Sequence, residues 1–187
     1  MLVSNLQVYP ICHFNDYLLL PGWSNSSIRN NGKQFTPATP KMLLGSDVDN
    51  YLTNGENYNH DNADIIRPIA VAVKQRIGVL YKYLVPQLSF TADFVHSGFK
   101  LAYKGRSDLA IKGRLVIDIK VSEMPLAKSI QHFGYDNQLN GYAAALEATA
   151  ALIFSVNPKT KIVTCYNVPL SHEWWEYQIL QKGEPIL

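Results

Sequence analysis

The six residues LVIDIK at 115–120 constrain this chain more than any other stretch of it. Leu115, Val116, Ile117 and Ile119 form an apolar, β-branched run of the kind that makes a buried strand. Asp118 and Lys120 interrupt it with charge. Successive strand residues face opposite ways, so these two emerge on the same side while Ile119 points into the core. An isolated D-x-K of this kind also fits a structural ion pair, or a strand end that reaches solvent. A second strand stands ten residues earlier, GRSDLAI at 105–111, carrying Asp108. The Lys112-Gly113-Arg114 turn between them has the length of a hairpin connection, and such a hairpin brings Asp108 beside Asp118. Two neighbouring carboxylates repel unless a cation joins them, and hard oxygen ligands on a rigid sheet suit Mg²⁺ or Mn²⁺.

Downstream, YDNQLNGYA at 135–143 places Gln138 and Tyr142 four residues apart, on one face of a helix. Taken alone, the pair also fits an ordinary amphipathic helix. Together, Asp108 and Asp118-Ile119-Lys120 resemble the signature of the PD-(D/E)XK nuclease superfamily, and the Gln138–Tyr142 pair resembles the Q-x-x-x-Y helix motif of its RecB-like branch. The segment YLLLPGWSNSSI at 17–28 looks like the opening of RecE-type exonuclease domains, and the likeness extends over about residues 17–180. The resemblance implies a restriction-endonuclease-like α/β core. It also implies a Mg²⁺ site, in which Mn²⁺ can substitute, held by Asp108, Asp118 and the backbone carbonyl of Ile119. Lys120 would orient or activate the attacking water and offset charge building on a phosphate. Gln138 and Tyr142 would contact DNA or the outer shell of the site.

In LLGSDVD at 43–49, Asp49 stands where that family often has a histidine near the metal. Aspartate is a competent ligand for a hard cation, so Asp49 is a candidate ligand, with His60 as the fallback. A carboxylate in the first turn of a helix is also commonly a dipole or capping residue.

The activity implied is that of a metal-dependent deoxyribonuclease. It would act as an exonuclease from DNA ends in phage-type recombination or DNA processing, with a homo-oligomeric ring around DNA and a single-strand annealing protein as partner. The alternatives are a single-strand-specific or structure-selective endonuclease of the same fold, and a non-catalytic DNA-binding protein on a decayed nuclease fold. The intact Asp108, Asp118 and Lys120 argue against the last. Relatives that hold an iron–sulfur cluster use four cysteines, whereas this chain has only Cys12 and Cys165, so no such cluster is expected.

Length and composition fit one domain, with residues 1–40 an irregular N-terminal segment and 41–187 the core: there are 187 residues, 47% of them hydrophobic and 17% charged. No apolar run approaches the ~20 residues of a membrane span, and no basic segment precedes an apolar signal core, so the expectation is a cytoplasmic protein with both cysteines reduced. The Asn25-Ser26-Ser27 sequon carries little meaning in that setting. Net charge is only +2, but residues 100–128 hold seven Lys and Arg against Asp108, Asp118 and Glu123, or 7 − 3 = +4. Such a stretch attracts a phosphate backbone, and a solvated hairpin carries the same charges.

The remaining pattern predicts the architecture. An Asn/Gly/Pro-rich stretch at 21–40 precedes a helix at 41–52 and a polar loop at 54–62, loops suited to gating or wrapping a substrate. Ile66, Ile69, Ala70, Val73, Ile77, Leu80, Tyr81 and Leu84 mark one long amphipathic helix with Pro68 near its start. Four strands at 87–96, 99–103, 107–112 and 115–122 form an antiparallel meander. A helix at 135–148 follows, then strands at 151–156 and 161–168, then a closing helix N-capped by Ser171. Trp174, Trp175 and Tyr177 in that last helix suit base stacking or a core. The expected fold is a mixed central sheet with a β-meander, flanked by helices.

Overall fold

A computed structural model describes residues 1–9, 14–29, 39–55 and 61–186. In chain order its strands are β1 Leu2–Tyr9, β2 Val85–His96, β3 Phe99–Ile111, β4 Leu115–Val121, β5 Ala150–Val156, β6 Val163–Asn167 and β7 Glu184–Pro185. Its α-helices are α1 Phe14–Leu19, α2 Asn25–Arg29, α3 Pro40–Asn54, α4 Ala63–Ile77, α5 Leu126–Phe133, α6 Tyr135–Ala145 and α7 Glu173–Lys182. The first six strands lie side by side in sequence order, and β7 pairs with β3 at its outer end. Neighbours run antiparallel except β4 and β5, which are parallel. A parallel pair needs a crossover, and α5 with α6 supplies it.

Helices cover both faces of the sheet, so the mixed α/β architecture with a β2–β3–β4 meander is as expected. On one face α6 and α7 set Leu139, Tyr142, Ala143, Trp175 and Ile179 against Phe90, Phe94, Tyr103, Val116 and Ile153. On the other, α3 and α4 set Val48, Leu52, Ile66, Ile69 and Val73 against Leu109, Ile117, Ile119 and Phe154. Strand alternation sorts β4 between these layers: Val116 goes to one, Ile117 and Ile119 to the other. Trp175 is fully buried and its indole N–H donates to the Asn137 carbonyl at 2.8 Å, which settles that side chain as core; Tyr177 is exposed.

Several elements differ from the sequence expectation. The described part of the N-terminal segment contains regular structure. Residues 2–9 form edge strand β1, with a register shift between Ser4 and Gln7, and the Trp23 backbone joins β3 through Trp23 N–H to Ala102 O and Lys104 N–H to Trp23 O, both 2.8 Å. β3 is one strand where two were expected. The helix at 63–77 ends at Gly78, whose φ of +68° turns the chain into a 3-10 segment, Gly78–Tyr83. α5 was not anticipated, and α6 stops at Ala145. The cap of α7 is His172; Ser171 Oγ instead accepts from the Glu173 N–H at 3.3 Å. His60, Cys12 and most of the 54–62 loop lie outside the described residues.

Candidate active site

The β3–β4 ladder runs through Ile111–Leu115, Ala110–Val116 and Leu109–Ile117. One step further along, Asp108 Oδ2 accepts from the Ile119 N–H at 2.6 Å, so a side-chain carboxylate takes over the role of a ladder carbonyl. The turn thus sets the two acidic residues side by side, as the hairpin length requires. Asp118 is buried, at 1% exposure, and Lys120 Nζ lies 2.6 Å from its Oδ2, the same-side placement that a two-residue strand step dictates.

Asp49 joins them from α3. It is the tenth residue of that helix, far beyond the first turn, so neither capping nor the helix dipole explains it. Its Oδ1 is fully enclosed and has no hydrogen-bond partner among the described residues. Burial pushes the Asp49 carboxyl well above the usual range; the charges of Asp108 and Asp118 push the same way, against Lys120 and Arg106. Burial, then Asp118, likewise raises Asp108 to about 7, opposed by Lys120, the Ile119 amide and Arg106. For Lys120, burial pulls the pKa down, but Asp118 and Asp108 outweigh it and hold the ammonium above the ordinary lysine value. These opposing signs describe electrostatic coupling among Asp49, Asp108, Asp118 and Lys120. Asp108 Oδ2 accepts from the Ile119 amide and Asp118 Oδ2 is ion-paired with Lys120, and among the described residues no group of three or more Asp, Glu, His or Cys side chains is arranged to hold a metal ion.

α6 roofs this cluster. Gly134, in the left-handed region at φ 60°, ψ 41°, ends α5 and opens α6 in one residue. Tyr135, Gln138 and Tyr142 then fall on one helical stripe. Gln138 Nε2 donates to Tyr142 Oη at 2.7 Å. Burial drives the Tyr142 phenol well above its usual pKa, and Tyr17, Asp118 and Asp108 add to the effect. The Tyr135 ring centroid lies 4.7 Å from Lys120 Nζ. Gln138 and Tyr142 therefore share the helix face that their four-residue spacing predicts, and Tyr135, at the start of the same stripe, faces Lys120.

A pocket of about 390 Å³ adjoins the cluster, lined by Tyr17, Ser24, Ser26, Ser27, Lys104, Arg106 and Tyr142 among others. Ser24 and Ser27 brace each other through reciprocal amide-to-hydroxyl bonds at 2.8 and 3.1 Å. Burial alternates along β3 with Lys104, Arg106 and Asp108 at half-buried positions, and that period-two spacing of Lys104 and Arg106 was the sequence signal for the pocket's cations. Lys104 has other work: its Nζ donates to the Leu18 and Leu20 carbonyls at 2.9 and 2.7 Å and lies 5.5 Å over the Tyr17 ring, pinning the end of α1. Lys112 and Arg114 are exposed at the hairpin turn, roughly 13 Å from Asp108 at 3.3 Å per residue. Lys100 faces Asp93 at 3.9 Å. The basic stretch is thus divided among several surfaces, and besides Lys120 it is Arg106 whose charge acts on Asp49 and Asp108.

No family model and no curated protein matches this sequence. The fold is similar to a solved structure from Eubacterium rectale named "Putative exonuclease": identity is 20%, the match covers 88% of this chain and 71% of that one, and the TM-score is 0.54. A second solved structure, of the protein SSO0001, aligns over 94% of this chain and 90% of its own with 16% identity and a TM-score of 0.43.

Proposed function

We propose that this chain is a Mg²⁺-dependent deoxyribonuclease of the PD-(D/E)XK type that hydrolyses DNA phosphodiester bonds, with Mn²⁺ able to replace Mg²⁺. The observation that carries the reading is the pair of strand carboxylates, Asp108 and Asp118, set beside Lys120, with Asp49 of α3 electrostatically coupled to them. Folding like-charged groups together costs stability, and such clusters mark sites that bind a counter-charge. The donors are of the kind a hard cation takes: all three are carboxylates, and Asp49 Oδ1 is enclosed without a hydrogen-bond partner among the described residues, although the three are not drawn together into one ligand group here. Asp49, Asp108, Asp118 and the Ile119 carbonyl would hold the ion, which would supply Lewis-acid charge to the scissile phosphate and to the water that attacks it.

The chain's own groups account for the rest. Lys120 directs its N–H donors at the attacking water and at the phosphate oxygens, where negative charge grows as water adds to phosphorus and the P–O ester bond breaks. Asp118, 2.6 Å away, keeps that ammonium in place. Gln138 and Tyr142 close the roof over the carboxylates and exclude bulk water. Arg106, with Ser24 and Ser27 in the neighbouring pocket, offers cationic and hydroxyl donors to a phosphate of the same strand. The fold shared with the Eubacterium rectale protein supports a nuclease, and the RecE-like segment at 17–28, which forms part of that pocket, supports action from DNA ends.

The test is product analysis on end-labelled linear and circular DNA with Mg²⁺. Linear duplex is expected to shorten from its ends while closed circles persist. Cleavage of circles makes the enzyme an endonuclease, and a preference for single-stranded or branched substrates makes it strand- or structure-selective. Asp118→Ala and Lys120→Ala should each lower cleavage by about 10³-fold while circular dichroism and thermal unfolding stay near wild type. Full activity in either variant removes the site assignment.

A further inference from the structure

Lys120 carries its charge on a flexible four-carbon stem, so something must hold the head still. Asp118 is one restraint, at 2.6 Å. In the nuclease reading, on which this inference rests, Asp118 is shared with a cation and its hold on Lys120 weakens when that ion binds. The second restraint is the Tyr135 ring, 4.7 Å from Nζ. A ring face attracts an ammonium through its quadrupole yet cannot ligate a hard cation, so it confines Lys120 without competing for the ion.

The ring itself is well fixed. Tyr135 is the first residue of α6, immediately after the left-handed Gly134, and it stacks on Phe133 with centroids 5.3 Å apart and planes at 22°. The Phe133 carbonyl accepts from the Arg29 guanidinium of α2, which ties this corner to the segment lining the neighbouring pocket. Tyr135 also shares its helical stripe with Gln138 and Tyr142. The roof therefore has three members: Gln138 and Tyr142 bonded to each other, and Tyr135 facing the ammonium.

We infer that Tyr135 is a positioning residue that keeps Lys120 Nζ facing the carboxylates, and that its ring, not its hydroxyl, does so. Tyr135→Phe keeps the ring; Tyr135→Leu removes it. On linear DNA with Mg²⁺, Tyr135→Leu is expected to lower kcat about 10- to 100-fold with KM within about twofold of wild type, and Tyr135→Phe to match wild type within about twofold. Crystal structures supply a readout independent of turnover. Lys120 should keep one conformer on Asp118 in Tyr135→Phe and should leave it, or divide between rotamers, in Tyr135→Leu. Wild-type kcat in Tyr135→Leu, or an undisturbed Lys120 in its crystal structure, overturns the inference. If the wild-type protein cleaves no DNA, the nuclease reading falls, and the two crystal structures alone decide the positioning role. Should Tyr135→Leu not fold, Tyr135→Met removes the ring with an unbranched side chain, and the same outcomes apply.

Discussion

At Asp49 the cost to the fold and the proposed role in the site can be measured separately. Its carboxyl is enclosed beside two other acids, and burial and repulsion both act against its charged form. Replacing it with a neutral amide of the same shape removes that repulsion. Asp49→Asn should therefore be more stable than wild type in chelator, by about 1 kcal/mol, or about 2–4 °C in melting temperature for a chain of this size. The same variant should gain less from added Mg²⁺ and should cleave DNA at least about 10²-fold more slowly. Calorimetry with and without Mg²⁺, alongside an activity assay, checks all three; a variant that is no more stable in chelator and fully active would place Asp49 outside the site. The residue was legible as a candidate only through the resemblance carried by LLGSDVD, which implies a ligand at that position. Its depth in α3 was not, since the capping alternative depended on where the helix began, and the Thr39 cap with Pro40 at the first turn sets that start nine residues earlier.

At the scale of elements, Gly105 governs how α6 meets the sheet, whereas Gly45 in α3 does not touch a neighbour. Gly105 made β3 read as two strands, because glycine weakens a strand pattern. In the structure it lies where α6 approaches most closely: a Cβ there would stand 2.3 Å from Phe90 Cζ and 2.8 Å from Tyr142 Cε1. Gly105→Ala should cost about 1–3 kcal/mol by overpacking and lower cleavage by displacing Tyr142 from Gln138, measurable as a drop in melting temperature together with kcat. Gly45, inside α3, meets nothing within 4 Å. Gly45→Ala should instead stabilise the protein by about 0.5–1 kcal/mol with cleavage unchanged. If both substitutions proved equal in sign, close approach would not be the reason for Gly105. Other elements were harder to read for different reasons. β1 is an edge strand with four exposed and four half-buried residues and none fully buried, so it lacks a buried apolar alternation. α5 is only eight residues long, although Pro125 before it and Gly134 after it are the usual boundary residues of a short helix.

For the molecule as a whole, the candidate site exists only in the folded state. The hairpin that pairs Asp108 with Asp118 was legible because it is local, and its charges sit two apart on an apolar strand. The arrival of Asp49, and of the Tyr17–Ser27 segment beside Arg106, depends on how α3 and the N-terminal segment dock on the sheet, which no local pattern encodes. An unfolded chain therefore has no equivalent ligand set, and a cation that binds here must stabilise the native state by mass action. At about 100 times its dissociation constant the gain is about 2.7 kcal/mol, or about 5–10 °C for 187 residues. The melting temperature should climb with the logarithm of Mg²⁺ or Mn²⁺ concentration once the site saturates and return on adding chelator. Asp118→Ala should stay flat throughout, because removal of the buried strand carboxylate takes away a central ligand. A wild-type melting temperature indifferent to both ions would show that the three carboxylates hold no cation, and the cluster would then stand as an ion-pair network built around Lys120.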